Sequence, residues 1–276
     1  MRVIPLVLAL TASLAASPLG AQTTAFAHDP SRVAIGTASE YLKSNLDGTQ
    51  AIRVVAWLGG VDRLEVLKLE PENGAAAFVT ARMDWATASA DRLESMVLFP
   101  DGTRRPQATL TLDPGSRMVR AEVFGLRDSL TVGALPVHMF NFDFLSLAAA
   151  LPHLADPYAG FSIGVMNPTF QPQPPLLRFD GEARIEPAGP DLRDGVPARR
   201  YHVEGAGLSG TRIWTAESDG RLLSIESPVP DNPGWSSFRL ELRSTTPMTE
   251  AEWGAFVQAE VAALAPARPL SEENGQ

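Results

Sequence analysis

The chain has 276 residues, no cysteine and a formal charge of −9, from 32 acidic and 23 basic side chains. That length holds one large domain or two small ones, and without cysteines an apolar core must carry the stability unaided. An acidic chain lacking any Lys/Arg cluster is unsuited to phosphate backbones and anionic lipid surfaces, so neither nucleic acid nor stable membrane insertion is expected.

The first 21 residues, MRVIPLVLALTASLAASPLGA, place one arginine before an apolar core and then small residues, the order of an export leader. Cleavage is expected after Ala21, with Ala27 as a second site, giving a periplasmic or secreted protein. No cysteine follows that could carry a lipid anchor. A short helix is expected from about Asp29 to Asn45, capped near Ser31 and stopped at Asp47-Gly48.

From Ile52 onward short apolar runs alternate with turns at Gly59-Gly60, Asn73-Gly74, Pro100-Asp101-Gly102 and Asp113-Pro114-Gly115. Strands at this spacing predict a mainly β fold, a curled antiparallel sheet of about nine to eleven strands. Between 136 and 157 the chain turns from aromatic to Leu/Ala-rich, and Phe144 to Leu154 predicts a helix broken at Pro152. The next segment, Tyr158 to Pro175, is read as a long connection that covers one sheet face, or else as a subdomain division near 168–175.

Strands resume at Leu176. In GTRIWTAESDGRLLSIESP, residues 210–228, Thr211, Ile213 and Thr215 share one face, and Arg212, Trp214 and Ala216 the other. Ser218-Asp219-Gly220 turns the hairpin, after which Leu223 and Ile225 are expected on one side. Thr249 and Glu252 spell a capping box for a last helix with Trp253, Phe256, Val257, Val261 and Leu264 as its apolar stripe. The single β-rich domain thus runs from 22 to 265, and residues 266–276 read as a flexible acidic tail.

Chemistry-bearing motifs are few. His28, His138, His153 and His202 show no metal-ligand spacing, and there is no nucleophile elbow, phosphate loop or dinucleotide fingerprint, so no cofactor and no metal is expected. Asp143 stands between aromatics in Phe140-Asn141-Phe142-Asp143-Phe144. It is read as solvent-facing in an amphipathic turn, with burial and a raised pKa as the alternative.

The stretch Gly195-Val196-Pro197, then a strand with Trp214, Gly220 and Leu222-Leu223, resembles exported bacterial proteins of unknown function with a lipoprotein-carrier-like (LolA-like) half-barrel. The resemblance covers Gly195 to about Leu242. It implies an open half-barrel with helices packed on the concave face. Together these features lead us to expect a lipidic or other apolar ligand in a groove walled by Phe140, Phe142, Phe144, Phe161, Met166, Phe170 and Trp214. Two other readings stand beside it: an enzyme with Asp143, His138 or His202 as acid/base groups, or an envelope protein acting through a protein partner.

Overall fold

Strand follows strand because apolar and polar residues alternate between Gly- and Asp-bearing turns. The computed structural model describes residues 25–32, 34–70 and 74–264. The expected leader at 1–21 and tail at 266–276 lie outside the described residues. In the first half are β1 Thr37–Ser44, β2 Ile52–Leu58, β3 Arg63–Glu70, β4 Ala75–Asp84, β5 Ser89–Leu98, β6 Arg104–Asp113, β7 Met118–Val123, β8 Leu126–Thr131 and β9 Val137–Met139. Helix α1, Leu145–Ala150, follows. Then come β10 Phe161–Pro168, β11 Leu177–Arg193, β12 Val196–Gly205, β13 Thr211–Ala216, β14 Leu222–Ser227, β15 Phe238–Pro247 and helix α2, Glu250–Ala262.

All 15 strands form one sheet in the order β8-β7-β6-β5-β4-β3-β2-β1-β15-β14-β13-β12-β11-β10-β9. The first and last strands therefore pair at its centre. Every pairing is antiparallel except β9 with β10, so the sheet is mixed rather than wholly antiparallel. Gly164 permits that parallel pair: a Cβ there would stand 2.7 Å from the Ala134 carbonyl oxygen. The sheet is open, with β8 and β9 as its edges, but it curls until its two ends meet. Leu110 and Val119 of β6 and β7 line the same small gap as Val137, Met139 and Met166 of β9 and β10. Across the seam, Leu176 N–H donates to Asp128 of β8 at 2.6 Å.

Strands β2 and β3 are buried on both faces. Val54, Ala56, Leu64 and Val66 belong to the larger, inner cluster. Val55, Trp57, Leu67 and Leu69 belong to an outer cluster with Trp253, Val257 and Val261 of α2. The two helices thus sit on opposite faces: α1 packs in the larger inner cluster and α2 in the outer one, against the expectation that both pack on one face. The reason is the apolar outer stripe of β2 and β3, which only a second amphipathic element can cover. Trp253 stacks on Trp57 with ring centroids 5.6 Å apart, and its indole N–H donates to Glu65 at 2.7 Å. The capping box is present: Glu252 N–H donates to Thr249 Oγ1, and Thr249 N–H donates to the Glu252 carboxylate at 2.7 Å. Thr249→Ala is expected to cost about 1 kcal/mol and to lower Tm by about 2–4 °C. An unchanged melt would mean that the cap contributes nothing.

Three expectations fail locally. The helix expected at 29–45 is instead a 3-10 turn, Pro30–Arg32, followed by β1. Pairing on both sides, to β2 and β15, outweighs a weak helical propensity already interrupted by Gly36. The supposed long connection at 158–175 contains β10, whose Phe161, Ile163 and Val165 point inward as core. What remains as loop joins paired strands of one sheet. In β14 a bulge against β13 breaks the alternation, so Leu222 and Ile225 face inward while Leu223 packs outward.

Candidate functional site

Where α1 lies against the centre of the inner sheet face, the two layers do not fill the space between them. The sheet contributes Thr37, Ser39 and Tyr41 from β1, Ala56 and Leu58 from β2, Leu64 from β3, Leu222 from β14 and Thr245 from β15. The helix side contributes Leu145, Ala148, Ala149 and Pro152. Alanines stand at three of the facing positions, too short to meet, and a half-open cavity of about 200 Å³ results. Its mouth carries Arg32, Asp219 and Arg221. Asp219 and Arg221 belong to the β13–β14 turn, which is pressed against the end of α1. A Cβ on Gly220 would lie 2.9 Å from Pro152 Cα, and the residue's φ of +75° suits glycine. The turn in ESDGRL is thus a polar hairpin and also one wall of the mouth. Burial pushes the Tyr41 phenol up to about 12, so it stays a neutral donor within the cavity.

Towards the opposite rim the inner face holds a buried charge cluster. Lys43 Nζ lies 2.8 Å from Asp143 and 2.5 Å from Asp231. Lys68 Nζ lies 2.7 Å from the other Asp143 oxygen and donates to the Asn141 carbonyl at 3.0 Å. Trp235 and Phe238 roof Lys43, with centroids 4.8 and 5.5 Å away. Burial alone would raise the Asp143 carboxyl, but the two lysines outweigh it and hold it at about 2. For Asp231 burial prevails over Lys43, and its carboxyl rises to about 6. Asp143 and Phe144 both take left-handed backbone angles, φ 55° and 53°, a strained turn that the lysines pin from inside.

Asp143 is therefore fully buried and not solvent-facing, and its pKa falls where simple burial would raise it. The expected ligand walls are also rearranged. Phe140, Phe142, Phe144, Phe161 and Met166 are packed into the inner core. Phe142 and Met166 border only a gap of about 20 Å³, the size of one water. Phe170 is 55% exposed in the β10–β11 loop. Trp214 lies on the outer face with Ala198, Ala216 and Leu223, where its indole N–H donates to Asp191 at 3.0 Å and Arg193 stacks over its ring. The seven residues do not form one groove, because neighbouring positions of β13 face opposite ways and the aromatics from 140 to 166 fill the space they were expected to line.

The acid/base candidates are not brought together either. His138 is buried and hydrogen-bonded through Nδ1 to Ser146 Oγ at 3.0 Å; burial lowers its pKa to about 3. Asp143 is committed to the lysines. His202 stands exposed on the outer face, between Glu186 and Arg212 in register.

The cavity escaped sequence reasoning because alanine at facing positions announces nothing until two elements meet. The charge cluster did leave a signal. Lys43 and Lys68 are the only lysines among the 23 basic residues, and each stands two residues from an inward apolar one, Tyr41 and Val66. A lysine in register with core positions must find a buried partner.

No protein-family model matches the chain. No curated protein matches it. Among solved structures it aligns with the crystal structure of a beta-barrel-like protein of domain of unknown function DUF1849 from Brucella abortus. That alignment has 10% identity and a TM-score of 0.43, over 76% of this chain and 97% of that one. A likeness of that degree bears on neither ligand nor activity. Among the described residues no helix is long and apolar enough to cross a membrane.

Proposed function

We propose that the protein binds a lipidic or other apolar ligand, non-covalently, in the cavity between the inner sheet face and α1. It would do so in the periplasm or outside the cell, after removal of its leader, as a carrier-like half-barrel protein. One observation carries the reading: a cavity of about 200 Å³ lined chiefly by Leu58, Leu64, Leu145, Leu222 and four alanines, open at one side. Engineered apolar cavities of about 150 Å³ take up benzene, so this one has room for a guest of at least that size. An open apolar pocket in an otherwise close-packed interior forfeits packing, and a guest would restore it. The site therefore moves from the aromatic residues 140–170 to the alanine-lined centre of the sheet.

The neutral dye N-phenyl-1-naphthylamine, which brightens on leaving water, tests this. Wild-type protein is expected to take it up, and Ala149→Phe, which fills the cavity, to lose at least about tenfold in affinity. Phe142→Leu, remote from the cavity lining, should bind as wild type. Equal uptake by wild type and the filled variant would reject the site.

A further inference from the structure

Resting on that reading, we infer that the ligand is an amphiphile with a single anionic head, its apolar chain in the cavity and its head between Arg32 and Arg221. The two guanidiniums line the mouth from different elements, Arg32 from the N-terminal segment and Arg221 from the β13–β14 turn. Only one carboxylate, Asp219, lines it with them, and that one pairs with Arg221. Asp29 pairs with Arg32 at 3.4 Å from outside the lining, where its Oδ1 already accepts from Ser31 N–H and Oγ–H at 2.9 and 2.7 Å. The remaining Arg32 bonds are long, 3.4 and 3.3 Å, to the carbonyls of Pro152 and Leu154. Arg221 Nε is buried and has no hydrogen-bond partner. The lining is thus one positive charge in excess in a chain whose net charge is −9.

Guanidinium forks match carboxylate and phosphate geometry and carry a lower desolvation burden than ammonium groups. An acyl carboxylate and an alkyl phosphate share this head chemistry, and the same lining offers hydroxyl donors at Thr37, Ser39, Tyr41 and Thr245. A cationic head would instead face two arginines. A neutral hydroxyl head would accept a hydrogen bond from a guanidinium but leave the excess positive charge unmatched.

The test compares decanoate, monodecyl phosphate, decanol and decyltrimethylammonium, each below its micellar concentration, by calorimetry or by displacement of the dye. The two anions are expected to bind about tenfold tighter than the cation, with the advantage shrinking between 20 and about 300 mM NaCl. Arg32→Met and Arg221→Met should each weaken the anions about fivefold and leave decanol within about twofold of wild type. Whichever anion binds tighter identifies the head. Equal binding of all four overturns the anionic head while leaving the apolar site standing. Binding of none overturns both.

Discussion

Lys43→Met is expected to lower the unfolding free energy by about 3–5 kcal/mol, because it strands Asp231 in the interior and leaves Asp143 with Lys68 alone. Lys43 is 1% exposed, and its ammonium is the ion-pair partner of Asp231 and one of two partners of Asp143. Methionine fills much the same volume, so the loss reports charge and not packing. Asp231→Asn should behave differently. Burial already holds the Asp231 carboxyl up at about 6, so its ionised form is disfavoured in the folded state. Removing that charge is expected to raise stability at pH 7.5, by up to about 3 kcal/mol. Urea unfolding of the two variants at pH 7.5 checks the pair. A Lys43→Met loss below about 1 kcal/mol would show that water reaches the cluster.

Acid is expected to destabilise the fold well before its surface carboxylates protonate. His138 and His153 are both buried, with pKa values lowered to about 3 and about 4. For His138 the cause is burial; for His153 it is burial, then repulsion from His28 and Arg32. A depressed folded pKa gives stability that is complete above the unfolded value of 6.5 and lost as pH falls towards the folded one. Each histidine therefore removes about 1.4 kcal/mol per pH unit below 6.5. Asp231 acts with the opposite sign. Its folded pKa is raised, so between 6 and 3.8 the native state keeps a proton that the unfolded chain has released. Falling pH regains about 1.4 kcal/mol per unit there. The net loss is about 3–4 kcal/mol between pH 6.5 and 4, and Asp231→Asn should nearly double the slope below pH 6. Urea midpoints measured from pH 7.5 to 4 decide this; a flat profile for wild type would show that the two histidines titrate freely.

Much of the sheet was legible because its signals are local. The hairpin at Ser218-Asp219-Gly220, the split of Ile213 from Trp214 and the Thr249 capping box need only neighbouring residues, and all three stand in the structure. Position in the sheet was not legible. β1 was read as helix because nothing local reveals that it pairs with β15, nearly 200 residues away. The same limit hid the site. Phe140 to Met166 are apolar enough to line a groove or to fill one, and only the curl of the sheet brings β6 and β7 against them and closes the space. Asp143 was misread because its partners, Lys43 and Lys68, lie 100 and 75 residues earlier.

The most direct test of the proposed site is the methyl spectrum of protein labelled with carbon-13 at alanine Cβ, titrated with decanol. Ala56, Ala148 and Ala149 line the cavity, Ala90 borders the small gap beside Phe142, and Ala198 and Ala216 lie on the outer face. Saturable shifts confined to the lining alanines, Ala34 included with Ala56, Ala148 and Ala149, are the result expected. Shifts at Ala90 alone would return the ligand to the aromatic core, and shifts only at Ala198 and Ala216, or at no alanine, would contradict a ligand site on the inner face.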